Sequence, residues 1–266
     1  ISNNFITKNS NQKILIDTIK STAIYHPVSN IFSNIKLDSN LSIYLPKSFI
    51  ELFFKGALFE ADPDQQIFFN SILDKFQHID FSTIVLNKGK KDAMFPEMTI
   101  LLTSKDPSIT YLSIQNLIQE LISENIPMSN WLEKETFGVR FKYVQFPFGL
   151  GIYIAKNNQD VVISSTEDSL IQLMTNKELS LRKFITEKGF DNFGNTAFSI
   201  YFDSARVANL IETFQEPLSI FSNGQSLLNN QQIGFLKQYS LGTISISSND
   251  DTIDFVFEYL PSYSRS

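Results

Sequence analysis

Imidazole is scarce in this chain: His26 and His78 are its two histidines, and it has no cysteine. A histidine works as a base or a metal ligand only beside a partner, and neither stands at metal-ligand spacing from one. His26 precedes Pro27, where a helix has to end and an imidazole commonly serves as a terminal hydrogen-bond donor. Ser-x-x-Lys, a spacing used in serine acyl transfer, occurs at Ser10/Lys13, Ser33/Lys36 and Ser180/Lys183. Roughly two such pairs arise by chance in a chain this rich in both residues, and the companion motifs are missing. Carboxylates cluster at Asp62/Asp64 and at Asp250/Asp251/Asp254. The first pair reads as a helix cap and the second group as a hairpin turn, and neither spacing supplies the oxygen ligands of a calcium loop. Gly149-Leu150-Gly151 lacks the third glycine of a dinucleotide loop and opens a strand where that loop opens a helix. No catalytic residue, cofactor or metal is expected on these grounds.

The residues best suited to work are apolar. Phe146-Pro147-Phe148 falls at a turn between two strands, where polar residues are the rule. Two rings there either fold back on the sheet or meet a partner, so Phe146, Pro147 and Phe148 form the candidate partner-binding surface. The chain holds 25 phenylalanines against nine tyrosines and one tryptophan. Most must be core, because the ring is a large apolar surface with no polar handle.

The elements that would carry this turn are read from periodicity. Ile14, Leu15, Ile19 and Thr22 are spaced for a helix over 12–25, followed by a connector over 28–38. Leu41–Leu45 is a strand, with Pro46 opening a helix through Phe54. Asp62-Pro63 and Asp106-Pro107 start two helices, and between them residues 79–86 and 98–103 pair across the turn Lys88-Gly89-Lys90-Lys91. Phe137 to Phe146 alternates, with Phe137, Val139, Phe141 and Tyr143 on one face and Arg140 and Lys142 on the other. It leads through the aromatic turn to strands over 150–155 and 160–164. Ser165-Thr166-Glu167-Asp168 then starts a helix with a capping box.

Ser-Ile-Tyr occurs at 42–44 and at 199–201, and each copy opens the same succession of strand, helix, polar or helical stretch, and hairpin. The expected class is therefore α+β, with mostly antiparallel sheets covered by helices and an internal duplication. The division expected is a helical arm and connector over 1–40, a first half over 41–135 and a second half over 136–266, the halves able to form one compact domain.

With 42% hydrophobic and 19% charged residues the composition is that of a globular chain. Its net charge of −6 and pI near 5.0 repel a nucleic-acid backbone, and the lysine turn reads as a solvated hairpin tip. Without cysteine there is no disulfide, thiolate site or lipidated thiol in these residues. No apolar run approaches the roughly 20 residues that span a bilayer. The chain begins at Ile1, which suggests a processed or partial chain whose signal or membrane anchor lies upstream.

From Phe137 to Met174 the alternating strand, the strand Gly151-Ile152-Tyr153-Ile154-Ala155, and the run Asp160-Val161-Val162-Ile163-Ser164-Ser165-Thr166-Glu167-Asp168-Ser169-Leu170 resemble a group of bacterial envelope proteins with a domain of unknown function. The resemblance implies a periplasmic or cell-surface location, an N-terminal anchor and the duplicated layout; it transfers no functional residue. The expected function is a non-enzymatic binding or scaffold subunit of an envelope assembly, with other proteins as partners and no nucleic acid. Two other readings stand beside it. One is a carboxylate-dependent hydrolase with acids scattered in sequence; the other is a carrier holding an apolar ligand between sheet and helices.

Overall fold

The structure is a computed structural model that describes residues 2–6, 41–47, 63–87, 96–125, 130–146, 151–175, 198–219, 229–249 and 252–261. It is α+β: its sheets are antiparallel wherever strand registers are defined, and helices pack against them. The chain divides into two compact units, each discontinuous in sequence. One comprises Ile1–Tyr44, Val85–Met98 and Glu178–Ser266, the other Leu45–Ile84 and Thr99–Lys177.

In the first unit the strands β1 (Ser2–Ile6), β2 (Leu41–Pro46), β9 (Phe198–Asp203), β10 (Tyr239–Asn249) and β11 (Thr252–Pro261) lie in the order β1-β11-β10-β9-β2. The polar opening of the chain gave no sign of β1, which pairs with β11 from Ser2↔Val256 to Ile6↔Thr252. β2 and β9 pair antiparallel with Ile43 opposite Ile200, Ser42 opposite Tyr201 and Tyr44 opposite Ser199. The two Ser-Ile-Tyr tripeptides are thus related by a local two-fold axis between the isoleucines. Helix α4 (Ser204–Ser219) begins where β9 ends, and Asp203 caps it by accepting the Arg206 amide at 3.0 Å. Its buried residues Ser204, Ala208, Leu210 and Phe214 recur at helical spacing. α5 (Asn230–Leu236) starts with a full capping box between Asn229 and Gln232 and buries Ile233. Gly242 on β10 lies under the Phe202 ring, which a Cβ would meet at 2.3 Å. Phe202 in turn stacks on Phe257 at 6.1 Å.

The second unit holds most of β3 (Ile79–Asn87) and β4 (Glu97–Ser104), together with β5 (Leu132–Thr136), β6 (Val139–Gln145), β7 (Gly151–Lys156) and β8 (Asp160–Ser164). Their order is β3-β4-β8-β7-β6-β5. Alternation along each strand sends side chains to two cores. Leu101, Val139, Phe141, Ala155 and Val162 meet α3 (Glu167–Thr175) through Leu170. Ile79, Leu102, Ile154 and Val161 meet α2 (Pro107–Asn125) through Ile114. Helix α1 (Pro63–Lys75) joins α2 through a Lys75–Glu120 ion pair of 2.7 Å. α2 starts as its sequence dictates: Pro107 takes the first position and Asp106 Oδ1 accepts the amides of Ser108 and Ile109 at 3.1 and 3.0 Å. A buried Thr99–Ser164 hydroxyl pair 3.0 Å apart joins β4 to β8 at their register position. No described helix is long and apolar enough to cross a membrane.

Several sequence expectations shift by a few residues. β2 runs through Pro46, and only Lys47 beyond it is described, as helical. The strand expected from Phe137 begins at Val139, preceded by β5, for which no expectation existed. The helix over 12–25, the connector over 28–38, the helix through Phe54 and the lysine turn lie outside the described residues.

Tyr111 on α2 is half-buried, and burial, followed by the charge of Glu133, pushes its phenol up to about 12. The unfolded phenol ionises near 10, so the folded state keeps a proton that the unfolded state has lost. Tyr111 stabilises fully below pH 10, and that contribution is lost as pH rises through 12. Tyr201, raised by burial and then by Asp203, acts in the same direction. The urea midpoint should therefore fall from pH 9 to pH 11, and Tyr111→Phe should lessen the fall without abolishing it. An unchanged slope in Tyr111→Phe would refute this role.

Candidate interaction surface

β5 and β6 form a hairpin closed by two residues, with Thr136 opposite Val139. Both loop residues have positive φ, Phe137 at 50° and Gly138 at 75°. This is the pattern of a type I′ turn, which suits the twist of the flanking strands and calls for Asn, Asp or Gly. Gly138 meets that demand. Phe137 does not: an L-residue with a bulky side chain in the left-handed region is strained. Its ring is also 85% exposed, so it contributes almost nothing to the core.

The rest of the hairpin is held firmly. Lys134 Nζ donates to both Glu167 oxygens at 2.8 Å, and Thr136 Oγ1 donates to Glu167 Oε1 at 3.0 Å. Its hydrogen bond to the Glu167 carboxylate holds the Lys134 ammonium above the usual lysine range. Glu167 is the first residue of α3, so its negative charge also faces the positive end of that helix. Thr166 Oγ1 accepts the Ser169 amide at 3.3 Å at the start of the helix, while Glu167 reaches to β5. Behind this tie Tyr143 and Tyr153, opposite each other on β6 and β7, stack at 5.6 Å and 10°. Burial, and next the charge of Glu167, raises the Tyr153 phenol. The Tyr153 ring lies over Gly151, where a Cβ would meet it at 2.7 Å. Arg140 Nε and Glu133 Oε1 pair at 2.8 Å on the opposite face.

β5 is the outer strand of its unit and, among the described residues, pairs only with β6. Leu132 at its start is 53% exposed, so the edge carries an apolar residue at one end and Phe137 just beyond the other. Among the described residues, such an edge presents backbone donors and acceptors with no strand partner, flanked by two hydrophobic side chains.

The residues singled out in the sequence fare unevenly. Phe146 is half-buried at the end of β6, and Pro147 and Phe148 lie outside the described residues. His78 enters structure through its carbonyl, which accepts Ser104 Oγ at 2.7 Å and the Lys105 amide at 3.2 Å. Asp254 pairs with Asn4 on β1, while Asp250 and Asp251 are outside the described residues. The described His, Asp and Glu residues include no group of three placed to hold a metal. A groove of about 360 Å³ in the first unit is lined by Asn229, Gln231, Gln232, Phe235 and Leu236. Sequence reasoning missed Phe137 because it also fitted the alternation of β6. The signal was Phe137-Gly138 itself, a Gly at the second place of a two-residue turn.

Fold and surface together define an α+β protein of antiparallel sheets with a rigid, Phe-tipped edge hairpin. No family model matches the chain, and no curated protein matches it either. Among solved structures it is similar to crystal form III of TP0453, with a TM-score of 0.44 and 11% identity over 91% of this chain and 82% of that one. A likeness of that degree bears on no residue or activity of this chain.

Proposed function

We propose that this chain is a non-enzymatic binding or scaffold subunit of a bacterial cell-envelope assembly, engaging another protein through the β5–β6 hairpin. The observation that carries the reading is Phe137: a strained, exposed aromatic ring at a position where Asn or Gly would serve the fold better. Strain that brings no folding benefit is explained by use elsewhere, and an aromatic ring on a rigid tip is a common form of interface anchor. The envelope setting rests on the resemblance of residues 137–174 to envelope proteins. The scaffold is read as a duplication, supported by the facing Ser-Ile-Tyr strands and by the helical stretch and two strands that follow each among the described residues.

The test is a photo-crosslinking phenylalanine analogue at position 137 in intact cells, combined with fractionation. An adduct between the chain and another protein, found in the envelope fraction, is the expected result. A chain recovered from the cytoplasm, or one that gives no adduct from position 137, overturns the proposal.

A further inference from the structure

We infer that β5 is the docking site for an extended, basic segment of a partner protein, which adds to the sheet as its next antiparallel strand. This deepens the reading above and rests on it. In a two-residue hairpin the pair flanking the turn, Thr136 and Val139, is hydrogen-bonded, and bonded pairs alternate along the ladder. Residues 132, 134 and 136 therefore direct their backbone groups at β6. Glu133 and Glu135 turn theirs to the open edge and can offer an incoming strand two donors and two acceptors.

The charge pattern selects the occupant. On β6, Lys142 and Arg140 lie opposite Glu133 and Glu135, so basic and acidic positions already alternate across the sheet on this face. The next strand in that sequence carries Lys or Arg at two positions two residues apart. A second copy of β5 is excluded by the same arithmetic. Every antiparallel register that matches the outward backbone groups sets Glu133 against Glu133 or Glu135 of the other copy, or Glu135 against Glu135, and like charges directly opposite destabilise. Leu132 and Phe137 then lie at the two ends of a docking edge of about 17 Å, where apolar residues of the incoming segment cover them. The tie from Lys134 and Thr136 to Glu167 keeps the edge extended before binding, so little ordering remains to be done when the partner arrives.

The test uses the whole chain with a synthetic heptapeptide of alternating Val and Lys at millimolar concentration. Its controls are the Val/Glu counterpart and a Val/Lys peptide with alternate amides N-methylated. Hydrogen exchange at the Glu133 and Glu135 amides is the readout, with the emission of Trp131, the single tryptophan, immediately before β5, as a second signal. The Val/Lys peptide should slow exchange at both amides at least about ten-fold and shift Trp131 emission, while both controls leave them unchanged. In the doubly substituted variant E133Q/E135Q, which places no like charge opposite Lys142 or Arg140, the preference for the Val/Lys over the Val/Glu peptide should be lost; these exposed side chains lie outside the core, and an unchanged circular dichroism spectrum would confirm the fold. Absence of protection, equal protection by the acidic or N-methylated peptide, or protection by phosphatidylethanolamine–phosphatidylglycerol vesicles in place of peptide would each overturn strand addition. If the position-137 crosslink persists in those cases, only strand addition fails; if it too is lost, the binding-subunit reading fails with it.

Discussion

Replacing Phe137 by Asn raises the melting temperature and weakens the assembly at once. The first effect follows from the backbone. Phe137 holds φ at 50°, a left-handed conformation that costs most L-residues about 1 kcal/mol or more and that Asn accepts readily. Because the ring is 85% exposed, removing it opens no cavity, and the net change is a gain of about 1 kcal/mol. The second effect follows from burial at an interface, where covering a Phe ring contributes about 2 kcal/mol or more, equivalent to roughly thirty-fold in affinity. Opposite signs make the experiment decisive. A ring that served folding would destabilise the chain when removed, and a ring that served nothing would leave binding unchanged. Calorimetry on the purified variant and crosslinking yield from a neighbouring position read the two effects independently.

Phe141→Ala should be among the most damaging single substitutions in the second unit. Phe141 is 1% exposed, packed with Leu101, Val139, Ala155, Val162 and Leu170, and its ring centroid lies 6.2 and 6.1 Å from those of Tyr143 and Tyr153. Truncating a buried Phe to Ala costs about 3–5 kcal/mol, since the lost apolar contact adds to the residual cavity. The melting transition should drop by roughly 10 °C. Phe141 is also directly opposite Lys134 on β5, so the damage should loosen the hairpin tie to Glu167. Faster amide exchange along β5 and β6 than along β4 and β8 would show it. A variant that melts within about 2 °C of the parent would mean that the neighbouring side chains collapse into the gap and that the Phe141 ring is dispensable to this core.

Much of the architecture was legible in residue order. Asp106-Pro107 marked the start of α2 because a carboxylate before a proline satisfies free amides at a helix end, and the structure shows those bonds. The alternation of Val139, Phe141 and Tyr143 against Arg140 and Lys142 placed the two faces of β6 correctly, since successive side chains on a strand point to opposite faces. Phe137 obeys the same period, which places it in the strand. It sits instead in the turn, because a following Gly allowed two positive φ angles and a tight reversal one residue earlier than the apolar pattern implied. β5 went unread for a related reason: Leu132-Glu133-Lys134-Glu135-Thr136 has little apolar content, and a sheet-edge strand needs none. β1 was hidden likewise, being polar and short, and its pairing with β11 joins opposite ends of the chain.

The sequence by itself determined the class of the protein and the residues available to it. Local rules suffice for that: caps, turns, periodicity and composition each act over a few residues, so they reveal antiparallel strands and the helices that cover them. Only the tertiary structure decided which segments share a unit, that Ile43 faces Ile200, and that Glu167, at the start of its helix, holds Lys134 on a strand 33 residues away. Those outcomes depend on long-range burial and charge pairing, whose free energies no short window of residues contains. The exposed edge of β5 and the ring of Phe137 belong to the same category, because exposure is defined by what the remainder of the chain leaves uncovered.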